Sequence, residues 1–153
     1  MVKQNRIINE VISFIEERNG GHFSEIEVAR VLNVTPQAIS QMKVKDNMRL
    51  SKAEHIAECY GYRLVLAWPN WSEKSGIEPL ERKKVHDGAG NLSGLEQYIL
   101  DSNRTIGSAA QMANIGRGIL YRAFSTGDIM LRDLTVLSES LGIEAKWEWI
   151  KEE

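Results

Sequence analysis

Apolar residues along the first part of the chain recur at helical spacing. Ile7, Ile8, Val11, Ile12, Phe14 and Ile15 fall on one face of a helix, which "NGGH" at Asn19 to His22 stops. "SEIE" then has the form of a capping box, Ser24 accepting from a free first-turn amide while Glu27 reaches back to the Ser24 amide. The helix it opens ends near Asn33, a residue that tolerates the left-handed backbone of a tight turn. Thr35-Pro36 supplies an N-cap and a preset first residue for the next helix, which runs from Pro36 to about Lys43. "SKAE" from Ser51 has the form of a second capping box, and Gly61 terminates the helix that follows. Beyond Gly61 the period changes to two: Tyr62, Leu64, Leu66 and Trp68 alternate with Arg63, Val65 and Ala67, which predicts a strand.

The same pattern returns 81 residues later. Ala29 meets Ala110, Asn33 meets Asn114, Ile39 meets Leu120, Leu50 meets Leu131, Gly61 meets Gly142 and Trp68 meets Trp149, without a gap. A match of this length at one offset implies a duplicated unit. The second copy also ends in alternation, Ile143, Ala145, Trp147 and Trp149 against Glu144, Lys146 and Glu148. A lone strand leaves backbone groups unpaired, and two equivalent strands related by a pseudo-twofold axis can pair antiparallel. The expected fold is therefore mainly α with a small antiparallel β ribbon carrying Trp68, Trp147 and Trp149. Residues 1–68 form the first unit, 69–94 a linker and 95–153 the second unit. The linker is rich in Pro, Gly and Ser and lacks periodicity, with Trp71, Ile77 and Leu80 as its apolar points of order.

Composition narrows the classes. With 153 residues, 42% hydrophobic and 26% charged, the chain has the make-up of an ordinary soluble protein. Its start reads as an amphipathic helix rather than a signal peptide, and it holds no long apolar run, so a cytoplasmic location without membrane contact is expected. A single cysteine, Cys59, excludes an internal disulfide framework and a multi-cysteine zinc site. The net charge of −2 argues against general polyanion binding, yet 35–52 carries a net +3 and 116–132 a net +2, while "EAKWEWIKEE" is acidic.

Two short helices crossing steeply need a small residue where they touch, a left-handed turn residue and apolar anchors. Ala29, Asn33, and Val28, Leu32, Val34, Ile39 and Met42 meet that need in the first copy. Ala110, Asn114, and Ala109, Ala113, Ile115, Leu120 and Ala123 meet it in the second. This arrangement resembles the helix-turn-helix of the lambda-repressor-like (Cro/C1, XRE-type) DNA-binding family, with "VTPQAISQM" and "IGRGILYRA" as turn and recognition helix. The resemblance implies two helix-turn-helix units in one chain, an internal pseudo-dimer that is monomeric in solution and reads two half-sites of double-stranded DNA. The base-facing candidates it implies are Thr35, Gln37, Ala38, Ser40 and Gln41 in the first copy and Gly116, Arg117, Gly118, Tyr121 and Arg122 in the second, with Lys43, Lys45, Arg49 and Arg132 on phosphates. Where the family often has a phosphate-touching glutamine at the start of helix two, this chain has Glu25 and Gly107.

A transcriptional regulator, a repressor on a phage, plasmid or other mobile element, is the function implied. The layout is also similar to small DNA-binding proteins of Gram-positive conjugative transfer operons, which makes an accessory role in transfer or recombination the second reading. A protein-interaction adaptor that kept the fold is the third. Other features have plainer explanations: "ERKK" at Glu81 to Lys84 as a solvated run, His55, Glu58 and Cys59 as one face of a helix with a buried cysteine, "GAG" at Gly88 to Gly90 as linker, and the tryptophans as packing. No catalytic constellation stands out, and no cofactor or metal is expected.

Overall fold

The capping and turn residues just described set the order of elements in the computed structural model, which describes residues 6–79 and 83–153. The elements are α1 (Asn9–Arg18), α2 (Glu25–Leu32), α3 (Pro36–Lys45), α4 (Leu50–Cys59), β1 (Tyr62–Ala67), α5 (Trp71–Ser75), α6 (Ser93–Asp101), α7 (Ile106–Ala113), α8 (Arg117–Thr126), α9 (Leu131–Leu141) and β2 (Lys146–Lys151). The molecule is mainly helical. Its one sheet among the described residues pairs β1 with β2. The Gly61 carbonyl accepts from the Glu152 amide at 2.9 Å, so the end of β2 lies beside the start of β1 and the pair is antiparallel.

The chain divides into two compact units. Unit 1 is Met1–Leu64 with Met130–Arg132 and Trp149–Glu153. Its core draws Val11, Phe14 and Ile15 from α1, Val28 and Leu32 from α2, Ile39 and Met42 from α3, and Leu50 and Ile56 from α4. Trp149, contributed by β2, stacks on Phe14 with ring centroids 4.0 Å apart, while Tyr60 and Tyr62 meet the same ring edge-on. The Arg18 guanidinium covers both Phe14 and Tyr62, at 4.5 and 4.4 Å from their centroids.

Unit 2 is Val65–Ile129 with Asp133–Glu148. Leu95 and Ile99 of α6, Ala109 and Ala110 of α7, Leu120 and Phe124 of α8, and Leu134 and Leu137 of α9 form its core. Trp68, just past β1, donates its indole N–H to the Asn91 carbonyl at 2.8 Å. It lies so near Gly94 that a Cβ there would come within 3.1 Å of the indole. Both tryptophans therefore pack, as their apolar area and single donor require.

Several expectations need correction. The second strand begins at Lys146 rather than Ile143. The Gly142 turn, at φ +69°, directs the Ile143 amide back to the Ser138 carbonyl at 3.0 Å and buries the Ile143 side chain as the closing contact of α9. Ser51 does not cap α4. That helix begins at Leu50, because an antiparallel bridge between Arg49 and Met130 holds Arg49 extended at the N-cap position and leaves Ser51 inside the first turn. The Ser24–Glu27 box is half formed: Ser24 Oγ accepts from the Glu27 amide at 3.4 Å and the reciprocal bond is not made.

The stretch 69–94 also holds more structure than a linker. It contains α5, and from His86 onward it is fastened to unit 2. Glu96, 1% exposed, accepts from the His86 amide at 2.8 Å and from the His86 ring. Ala89 and Leu92 are fully buried, so "GAG" is part of a packed strap. A Cβ at Gly88 would collide with the Ser125 carbonyl. Ile77 is exposed, Leu80 lies outside the described residues, and of "ERKK" only Lys83 and Lys84 are described, both exposed.

Candidate nucleic-acid interface

Each unit contains two helices joined by a turn with nearly identical geometry. Asn33 closes α2 at φ 58°, ψ 46°, with the Val34 amide on the Ala29 carbonyl at 2.9 Å. Asn114 closes α7 at φ 57°, ψ 43°, with the Ile115 amide on the Ala110 carbonyl at 2.9 Å. Asparagine is among the few residues with a Cβ that enter this region readily. Ala29 and Ala110 are nearly fully buried, as small contact residues at a close helix crossing should be. Thr35 then caps α3 by accepting from the Ala38 amide at 3.2 Å, with Pro36 at the first helical position. Gly116 stands at the equivalent cap of α8 without a side chain to offer.

The buried stripe of α3 is Ile39 and Met42, and that of α8 is Leu120, Ala123 and Phe124. The rest faces solvent. Thr35, Gln37, Gln41, Lys45 and Arg49 are exposed, and Ala38, Ser40 and Lys43 are half-buried. In unit 2, Gly116, Arg117, Gly118, Tyr121 and Arg122 are all exposed. Gln37, Ser40, Gln41 and Val44 follow the i, i+3, i+4, i+7 spacing of one helix face. Val44 is absent from the expected set, yet at 79% it is the most exposed of the large apolar side chains among the described residues. The spacing alone would have found it.

The basic side chains are less uniform. The Lys43 ammonium sits 4.6 Å from the Phe23 ring centroid and 4.0 Å from Glu25, so it neutralises the start of α2. Arg132 lies in unit 1: its amide donates to Asn47 Oδ1 at 3.0 Å and its guanidinium to the Lys45 carbonyl at 3.4 Å. It therefore joins Lys45 and Arg49 at the C-terminal end of α3, where a cation also complements the helix dipole. Arg117 folds over Gly107, where a Cβ would stand 2.9 Å from Nε. Helix α7 begins at Ile106, so the counterpart of Glu25 is Ile106, and Gly107 corresponds to Ile26.

Cys59 is half-buried rather than buried, with Sγ 3.5 Å from His55 Nε2. Burial, and then the Glu58 charge, push its thiol above the ordinary range, which disfavours the thiolate a metal would need. Burial is also the main cause of the raised Tyr60 hydroxyl pKa. No group of three or more potential metal ligands converges among the described residues. No helix among them is long and apolar enough to cross a membrane. No family model, curated protein or solved structure matches the chain.

Proposed function

We propose that this protein is a non-enzymatic, sequence-specific double-stranded DNA-binding protein, a transcriptional regulator in which one chain reads two half-sites. The observation that carries the reading is the pair of helix–turn–helix joints at an offset of 81 residues, each presenting on its second helix a polar face that no core contact uses. Gln37, Ser40 and Gln41 offer donors and acceptors to base edges, and Arg122 suits a guanine. Lys45, Arg49 and Arg132 supply cations for phosphates beside α3.

With two such joints in one chain, a monomer is expected to occupy two half-sites about 34 Å apart, one helical turn of DNA. Selection of bound duplexes from a random library, followed by footprinting at several salt concentrations, tests this. One chain per asymmetric site is expected. If about six phosphates are neutralised, the slope of log affinity against log salt is about −5. A slope near zero, or no enriched sequence, refutes the reading. The genomic position of the enriched sequence, at a promoter or at a transfer origin, separates a repressor from a transfer accessory.

A further inference from the structure

Helix α1 lacks a side-chain cap of its own, since Ile8 stands at its N-cap position. The residues just ahead of it are held instead by the far end of α3. Asp46 ends that helix in the left-handed conformation, φ 50°, ψ 43°, with its amide on the Met42 carbonyl. Its carboxylate accepts from the Ile7 amide at 3.2 Å and the Ile8 amide at 3.3 Å. Arg6 adds a second tie, from Nη1 to the Lys43 carbonyl at 3.4 Å. The position 81 residues on is Gly127, also left-handed at φ +75°, and Ile7 and Ile8 correspond to Gly88 and Ala89. There a Cβ would stand 2.7 Å from the Gly88 carbonyl oxygen and 3.1 Å from that of Ala89. The end of α8 thus meets the same lead-in segment through the backbone at Gly127, which has no side chain to offer.

We infer that Asp46 is a positioning residue for α3. By holding the last turn of α3 on the residues that lead into α1, its carboxylate sets how Gln37, Ser40, Gln41 and Val44 are presented, and it makes recognition by unit 1 depend on a carboxylate at a position where unit 2 has glycine. This rests on the reading of α3 and α8 as DNA-reading helices. A carboxylate accepting two backbone amides just ahead of a helix makes charge-assisted bonds, and its removal strands two donors while freeing the end of α3.

The test uses the full chain on its selected duplex, with the α3 half identified as the one whose base preference changes in Gln37→Ala. Asp46→Gly keeps the left-handed conformation and removes the carboxylate. Asp46→Asn keeps one carbonyl acceptor. Amide exchange at Ile7 and Ile8 is read on the same samples. Asp46→Gly is expected to speed that exchange and to weaken occupancy of the α3 half about tenfold, leaving the α8 half unchanged, with Asp46→Asn, which keeps an acceptor and loses the charge, intermediate at about threefold. Unchanged exchange overturns the joint. Faster exchange with unchanged occupancy, or an equal loss in both halves, overturns the positioning role. Should Asp46→Gly not fold, Asp46→Asn carries the same comparison, and wild-type occupancy of both halves in that variant despite faster exchange refutes the role. A wild-type protein that binds no duplex defeats the DNA reading and the role of Asp46 together, while exchange still reports whether the joint exists.

Discussion

The α2–α3 and α7–α8 turns share the left-handed residue that makes them and differ in almost everything around it. Asn33 and Asn114 agree within a few degrees, and their closing bonds to Ala29 and Ala110 have the same length. Yet the first turn of α2 has two acidic residues and half a capping box, whereas α7 has no acid and a complete Thr105–Ser108 box. One second helix ends in an aspartate clasped by amides, the other in a glycine pressed against carbonyls. Residues that set backbone angles have few chemical equivalents, so both copies use the same ones. Residues that fill a joint or face solvent have many, and there the copies diverge.

The apolar anchors that both copies share carry the largest expected effects. Ile39→Ala and Leu120→Ala each remove a fully buried side chain, and each is expected to cost about 2–5 kcal/mol, read by chemical denaturation with probes in each unit. If only one of the two destabilises the protein, the joints are not equivalent. Gly127→Ala comes next. It forces a Cβ into left-handed backbone and against the Gly88 carbonyl, and a cost of about 1–3 kcal/mol is expected from such strain. Placing Gly at position 46 avoids that strain, so the two swaps should differ in thermal melting.

At the surface, Arg122→Ala is expected to lose about 1–3 kcal/mol of binding if the side chain pairs with a guanine, and to relax base preference in one half of the site only. Gln37→Ala should act in the other half. The same altered motif from both variants, in a repeated selection, would show that neither helix reads bases. Caps give the smallest effect. Thr105→Ala breaks a reciprocal pair and Ser24→Ala a single long bond, so the first should cost about 1 kcal/mol and the second less, measured by thermal unfolding.

Cys59 sharpens the comparison within unit 1 alone. Its thiol pKa is raised, so less thiolate is present near neutral pH than in a free cysteine. Alkylation by iodoacetamide should be slow there and should accelerate with a midpoint above that of an unfolded control. A midpoint at or below the control would contradict the environment described for α4.

Much of this was legible in the chain itself because local chemistry decides it. Asn33, Asn114, Thr35-Pro36 and Gly61 act through their own torsions and donors, and the apolar stripes of α2, α3, α7 and α8 follow from period alone. What tertiary structure decided involves partners far apart in sequence. The Arg49–Met130 bridge set the start of α4 ahead of a plausible capping box, and the return of the Ile143 amide to Ser138 moved the start of β2 three residues along. Asp46 reads in sequence as a lone negative charge among lysines, and becomes the acceptor of two amides because the lead-in to α1 lies beside it. Arg132 reads as part of the second copy, and lies with Lys45 and Arg49 in the first unit. Glu96 and Gly88 turn part of a supposed linker into a strap. A residue's own backbone preference is a property of a few neighbouring atoms, whereas the identity of a distant partner exists only once the chain has closed upon itself.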